Sequence, residues 1–334
     1  MAAPRMISCV LALATLTLGA CSAATDRPSG GQPVVSGVAG GSGAAPSAGP
    51  PSGTAAAPPG TAAPSASALD PAAYKAELES RRKAMAGAIG SMAGARTVKT
   101  LGQRAQKAAE AVESGAAALA AVTPPDQVRS QHDAYVASLR DFATALGGTA
   151  GKVGSRDLCT SSAALTDVGG ALKSLDQAGQ ALQRAGDYPA DVVSVKAGGK
   201  KNRRLKNGSF IRRGSLTGRS SLQIDNGGTR DAVVTLVKGG SKVVSVYVRK
   251  KAKFKISGVR DGTYKIYFTH GVDWDGRARA FTRQCSFERF QKSVKFKTTF
   301  TATQIRWHDW RITLHAIAGG NARTADVDPD DFPG

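Results

Sequence analysis

The chain has 334 residues and a formal net charge of +20, from 45 Lys and Arg against 25 Asp and Glu. The charge is uneven: residues 70–187 carry 14 Lys and Arg against 12 Asp and Glu, a net of +2, whereas residues 188–334 carry 29 against 12, a net of +17. The chain has four histidines and four cysteines and no Gly-x-Ser-x-Gly, phosphate-loop or dinucleotide fingerprint in a fitting setting; this excludes the enzyme classes that such motifs announce, so a non-enzymatic role without cofactor or metal is the expectation.

Residues 1–20 have the three parts of a secretory signal. Arg5 supplies the positive region, and Met6 to Leu18 form an apolar run, shorter than the roughly 20 residues that span a bilayer. Leu18-Gly19-Ala20-Cys21 closes the run and resembles the lipobox of bacterial lipoproteins; an ordinary secretory signal followed by a chance cysteine is the alternative. The resemblance implies cleavage between Ala20 and Cys21, lipidation of Cys21, and an extracytoplasmic protein anchored to the cell membrane. Two acyl chains anchor stably where one binds marginally. The Ala/Gly-rich, arginine-rich composition also resembles that of actinobacterial lipoproteins. Cys9 leaves with the signal, so Cys159 and Cys285 remain for a disulfide in an oxidising compartment. Such a bond would clamp two domains together; two buried free thiols are the alternative.

Residues 21–69 are the lipidated cysteine and an Ala/Gly/Pro/Ser linker, which buries too little apolar surface to offset its ordering entropy and reads as a disordered tether. Its root-mean-square reach would be roughly 40 Å. Residues 70–187 then carry four amphipathic stretches. The first, 71–93, has Leu78, Met85, Ile89 and Met92 on one stripe, and the second, 97–122, has Leu101, Ala105, Ala108, Val112 and Leu119. The third starts at Pro125 with Val128, Tyr135, Leu139, Phe142 and Leu146; the fourth, 158–182, has Leu165, Val168, Leu172, Leu175 and Leu182. The prolines at 124 and 125 separate the second from the third, and glycines from Gly147 to Gly154 are expected to break the third from the fourth. Short connections between these stretches predict a four-helix bundle with an alanine-rich core.

From Val192 the pattern shifts to period two, with strands expected at 222–224, 232–237, 243–248, 254–256, 264–268, 294–296 and 305–317. Short strands at close spacing predict a basic β-sandwich over 188–334, so the expected fold class is α+β multidomain. The run from Phe254-Lys255-Ile256-Ser257-Gly258 to Gly262-Thr263-Tyr264-Lys265-Ile266 resembles a signature of transthyretin-like and carboxypeptidase-regulatory-like sandwiches. Asp273-Trp274-Asp275, the 281–287 segment and the Asp-rich end resemble an uncharacterised β-domain of bacterial envelope proteins, which implies architecture and no activity.

The positive charge concentrates in Lys200, Lys201, Arg203, Arg204 and Lys206, and in strands where Lys251, Lys253 and Lys255, and again Lys295 and Lys297, alternate with apolar residues. Alternation turns these lysines away from the core, and if the two strands share a sheet its solvent face is a basic plate. That predicts adhesion to an anionic surface, lipid headgroups or wall polymers, against the alternative of a sheet face made basic for solubility and edge protection. Export makes nucleic acid an unexpected partner, and no protein partner is indicated. A recognition module using Trp274, Trp307 and Trp310 is the second reading, which exposed tryptophans would favour; a hydrolase is the third. His132 beside Asp133 reads as a surface or capped histidine, and a metal site built from His270, Asp273 and His308 lacks any metal-binding spacing. Asp273-Trp274-Asp275-Gly276 begins like a calcium loop but continues with Arg277 and Arg279 and reads as a turn. Asp326, Asp328, Asp330 and Asp331 read as a solvated tail, with electrostatic docking onto the basic face as the alternative.

Overall fold

A computed structural model describes residues 67–192, 195–315 and 322–333. The signal, Ala20, Cys21 and nearly all of the tether lie outside these residues. The described chain is mixed helix and sheet: five α-helices come first and a sheet-rich region follows. Among the described residues no helix is long and apolar enough to cross a membrane.

Helix α1 (Pro71–Ala93) starts where Asp70 accepts hydrogen bonds from the Ala72 and Ala73 amides, with Pro71 in the first turn. Helix α2 (Val98–Ala120) starts at a capping box in which Thr97 and Thr100 satisfy one another's amides. A 3₁₀ turn (Asp126–Val128) leads from the proline pair into α3 (Arg129–Gly154). The expected apolar stripes form one core, in which Leu78, Met85, Leu101, Val112, Leu139, Phe142, Leu175 and Leu182 are buried. Gly115 lets α1 and α2 approach closely, because a Cβ there would lie 2.7 Å from Met85 Sδ.

Two helical expectations are corrected. The glycines between 147 and 154 do not break a helix, since α3 runs through them. Leu146, Thr149 and Val153 are buried on its inner stripe, and their packing outweighs the roughly 1 kcal/mol helix cost of each glycine. The fourth stretch is instead two helices, α4 (Ser161–Asp167) and α5 (Gly169–Gly186), separated at Val168. His132 is also not a surface residue. It is 2% exposed and its Nδ1 hydrogen-bonds the Tyr74 hydroxyl at 2.8 Å. Burial lowers the histidine pKa and raises that of the tyrosine, which keeps both neutral in the core.

The sheet-rich region comprises β1 (Phe210–Arg213), β2 (Ser220–Asn226), β3 (Asp231–Lys238), β4 (Ser241–Val248), β5 (Ala252–Val259), β6 (Gly262–Asp275), β7 (Ala280–Phe290), β8 (Val294–Phe296), β9 (Thr298–Phe300), β10 (Ile305–Trp307), β11 (Trp310–Thr313) and β12 (Thr324–Asp326). The large sheet has the order β1-β4-β3-β6-β7-β12, with β8 also pairing β6. A second sheet has the order β11-β2-β5, with β11 parallel to β2. Strands β9 and β10 form a hairpin that, among the described residues, pairs with no other strand. Alternate residues of both larger sheets meet in one apolar cluster: Leu222, Ile224, Ile256 and Ile312 from the small sheet, and Val234, Val246, Ile266, Phe268 and Phe296 from the large one. Val233, Tyr247, Trp274 and Phe281 form a smaller cluster, joined by Leu205 and Ile211.

Strand β7, absent from the sequence expectations, pairs along β6 through a register shift between His270 and Val272. Its polar residues Arg283, Gln284 and Glu288 obscure the alternation that would reveal a strand. The expected strand at 305–317 is interrupted at His308 and Asp309, which separate the hairpin from β11. The acidic end keeps Asp326, Asp328, Asp330 and Asp331 exposed, as expected, but its backbone is docked. Residues 324–326 pair with β7, and the Phe332 ring packs edge-on against Tyr267 and Phe287, so aromatic contact and strand pairing hold it.

The helical and sheet-rich parts belong to one compact unit. Cys159 and Cys285 join them as a disulfide, both half-cystines buried. Around it the Cys159 amide donates to the Thr282 carbonyl, and the Cys285 and Gln284 amides donate to the Arg156 and Asp157 carbonyls. The turn after α3 thereby continues the pairing on the edge of β7.

Candidate functional site

The basic run before β1 divides its labour. Arg203 is turned inward: its backbone amide and Nε donate to Asp273 Oδ1 at 2.7 and 2.9 Å, and its terminal nitrogens reach Asp273 Oδ2 at 2.8 Å and Asp275 Oδ2 at 3.1 Å. Arg204 grips Asp231 with two parallel bonds of 2.6 Å. These are the forked, charge-assisted pairs for which arginine is suited. Thr282 completes the shell of Asp273, and the Tyr247 hydroxyl and Lys250 amide complete that of Asp231. Burial alone would raise the pKa of Asp273, but its bonds to Arg203 and Thr282 hold it well below the usual carboxylate range. The same competition lowers Asp231, through Arg204, Tyr247 and the Lys250 amide. Both arginines therefore act as structural clamps, with their charge engaged by Asp273, Asp275 and Asp231 although each side chain stays about a third exposed. Asp273 and Asp275 share the Arg203 guanidinium, and Asp275 Oδ1 also accepts from the Arg277 and Ala278 amides, so this stretch forms the expected turn.

Lys200, Lys201 and Lys206 stay exposed. Lys200, Lys201 and Lys196 rim a cleft of about 870 Å³ at the junction of the helical and sheet-rich parts, which also touches Asp167, Asp273 and Arg283. Lys152 is neutralised there by Asp167 at 2.8 Å, and Arg283 donates to the Lys201 carbonyl.

The lysines of β5 and β8 point outward as their alternation predicts: Lys253, Lys255 and Lys295, and Lys297 just after β8, are exposed, while Ile256, Val294 and Phe296 are buried. The single basic plate is corrected, because β5 belongs to the small sheet and β8 pairs with β6 of the large one. The outer row of the small sheet instead aligns Arg311, Gln223 and Lys255. Two predicted lysines have partners, with Lys251 donating to the Gly227 carbonyl and Lys253 pairing with Asp225 at 3.2 Å.

The three tryptophans part company. Trp274 is buried against Tyr247 and Phe281, whereas Trp307 on β10 and Trp310 on β11 are 47% and 39% exposed. Phe300 and Ile305 are exposed beside Trp307 on the hairpin. The sequence reading passed over both, although residues 298–305 form an uncharged stretch between Lys297 and Arg306. The histidines do not assemble the His270–Asp273–His308 set, since Asp273 is bound by Arg203 and His308 contacts the Lys297 carbonyl. His270 is buried against Phe268, and burial together with Arg230 and His315 pushes its pKa down to about 4. His308 is exposed and contacts the Lys297 carbonyl, and His315 Nδ1 accepts from the Gly227 amide. Among the described residues no group of three or more His, Cys, Asp or Glu side chains is placed to hold a metal ion.

No family model, no curated protein and no solved structure matches the chain.

Proposed function

We propose that this chain is an envelope lipoprotein, acylated at Cys21 and tethered by residues 22–69, whose sheet-rich part binds anionic envelope surfaces without catalysis. In this reading α1, α2, α3 and α5 act as a four-helix bundle and the two facing sheets as a β-sandwich. The observation that carries the reading is the outward display of Lys255 and Lys295 on strands whose alternate residues are buried in the core, with Lys297 exposed just after β8. Lys200, Lys201, Lys206 and Arg311 add to this exposed charge. Each cation near an anionic membrane contributes about 1 kcal/mol before screening, so a few of them support salt-sensitive adhesion. The bundle, at a net of +2, would act as a nearly neutral spacer between anchor and basic surface.

The test uses the full chain carrying Cys21→Ala, which cannot be acylated, sedimented with anionic vesicles or with cell-wall extract at low and high salt. Sedimentation at low salt that is released at high salt is expected; absence of salt-sensitive binding to both would remove the proposal. A recognition module is favoured as a second reading by the exposure of Trp307 and Trp310; Trp274, being buried, takes no part in it.

A further inference from the structure

The large hydrophobic side chains that stand exposed among the described residues are Phe300, Ile305, Trp307 and Trp310, all within eleven residues of one another. Register explains how they are displayed. Ile305 lies opposite Phe300 and Trp307 opposite Thr298, so Phe300, Ile305, Trp307 and Thr298 share one face of the β9–β10 hairpin, with Thr299 and Arg306 on the other. Among the described residues the hairpin pairs with no further strand, and its apolar face stays largely exposed, with the Arg219 guanidinium 6.0 Å from the centre of the Phe300 ring.

The hairpin is nevertheless firmly mounted. At its base Asp261 accepts from the Thr298 amide and hydroxyl, the Trp310 indole donates to the Lys295 carbonyl, and Asp309 accepts from the Ser221 amide. At its tip Thr301 and Gln304 close the turn through backbone and side-chain bonds. From tip to base the hairpin presents the uncharged polar turn at 301–304, the pair Phe300 and Ile305, Thr299 opposite Arg306 on the other face, and Trp307 opposite Thr298. Lys297 and Lys295 lie at the base, with Trp310 at the sheet edge.

We infer that this hairpin is an interfacial insertion device, which seats Phe300 and Ile305 in the headgroup–acyl boundary of an anionic bilayer, holds Trp307 at headgroup level, and sets Lys295, Lys297, Arg219 and Arg306 against lipid phosphates. Tryptophan prefers that boundary because one side of the indole is apolar while its N–H remains wet. From Thr298 to Phe300 the strand rises about 7 Å, within the roughly 5–10 Å over which interfacial elements are buried. A hydrated wall polymer offers no apolar phase for Phe300, and a second copy would bring the same cations face to face. A bilayer with anionic headgroups meets both requirements. The inference rests on the anionic-surface reading only for the sign of the charge.

The test uses the full chain with Cys21→Ala and vesicles of phosphatidylglycerol mixed with phosphatidylcholine, with and without brominated acyl chains. Blue-shifted tryptophan emission and quenching by the brominated lipid are expected, and a Phe300→Ser/Ile305→Ser variant, altered only at exposed positions, should bind roughly tenfold to a hundredfold more weakly and lose the quenching. Salt-sensitive binding without quenching would overturn insertion and leave the anionic-surface reading standing. Quenching that persists unchanged at high salt and on pure phosphatidylcholine would uphold insertion and defeat the charge reading. Absence of both binding and quenching, or a blue shift that appears on self-association without vesicles, would overturn the inference.

Discussion

Replacing the bond at the junction, in a Cys159→Ala/Cys285→Ala variant, should weaken the protein mainly through its unfolded state. The disulfide closes a sequence separation of 126 residues, and removing so long a loop constraint is worth about 5 kcal/mol in the chain-entropy model, against about 2–5 kcal/mol for native disulfides in small domains. The folded junction keeps its other ties, because the Cys159, Gln284 and Cys285 amides all bond across it through the backbone. The variant should therefore retain native near-ultraviolet circular dichroism while its urea-unfolding free energy falls by about 3–5 kcal/mol. Wild-type protein held in reductant should behave likewise. A variant that unfolds at the wild-type urea midpoint with an unchanged slope would refute the reasoning, since the bond would then place no constraint on the unfolded chain.

Arg203→Met should lower stability by about 2–3 kcal/mol, because it strands the buried Asp273 carboxylate while the guanidinium itself is partly exposed; Lys200→Gln/Lys201→Gln should change stability by less than about 0.5 kcal/mol, and urea titration of both variants checks the difference. Gly148→Ala and Gly151→Ala should each stabilise α3 by up to about 1 kcal/mol, since a Cβ at either site meets nothing within 4 Å. Gly115→Ala should gain nothing and cost up to about 2 kcal/mol, because overpacking against Met85 outweighs the helix gain of about 1 kcal/mol; thermal melts of the three variants separate the two cases.

Much of the helical part was legible because its signal is local and redundant. Leu78, Met85, Ile89 and Met92 recur at helical spacing, and Asp70-Pro71 marks the start of α1 where the structure begins it. The glycine run misled because propensity is a weak local preference that the buried Leu146, Thr149 and Val153 override. His132 misled because a polar residue beside an aspartate gives no local sign of the Tyr74 hydroxyl, 58 positions away, that satisfies it inside the core. In the sheet region the strands with clean alternation were readable, whereas β7 was not, because its exposed stretches and the disulfide edge mix polar and apolar residues. The candidate site was half legible. Alternation located the outward lysines, but it could not tell Arg203 and Arg204 from their lysine neighbours, although the switch from lysine to arginine was a usable sign of forked carboxylate pairing.

The sequence by itself determined the strongly basic C-terminal part, the apolar stripes of the helices and the faces on which Lys255, Lys295 and Lys297 lie, because period and charge are properties of neighbouring residues. Only the tertiary structure decided that β5 and β8 belong to different sheets, that Asp231 and Asp273 engage two of the cations, and that Phe300, Ile305 and Trp307 gather on one exposed face. Each of these depends on strand order, register or pairing between residues far apart in the chain, and the free energy that selects among such pairings comes from the assembled core rather than from any local stretch.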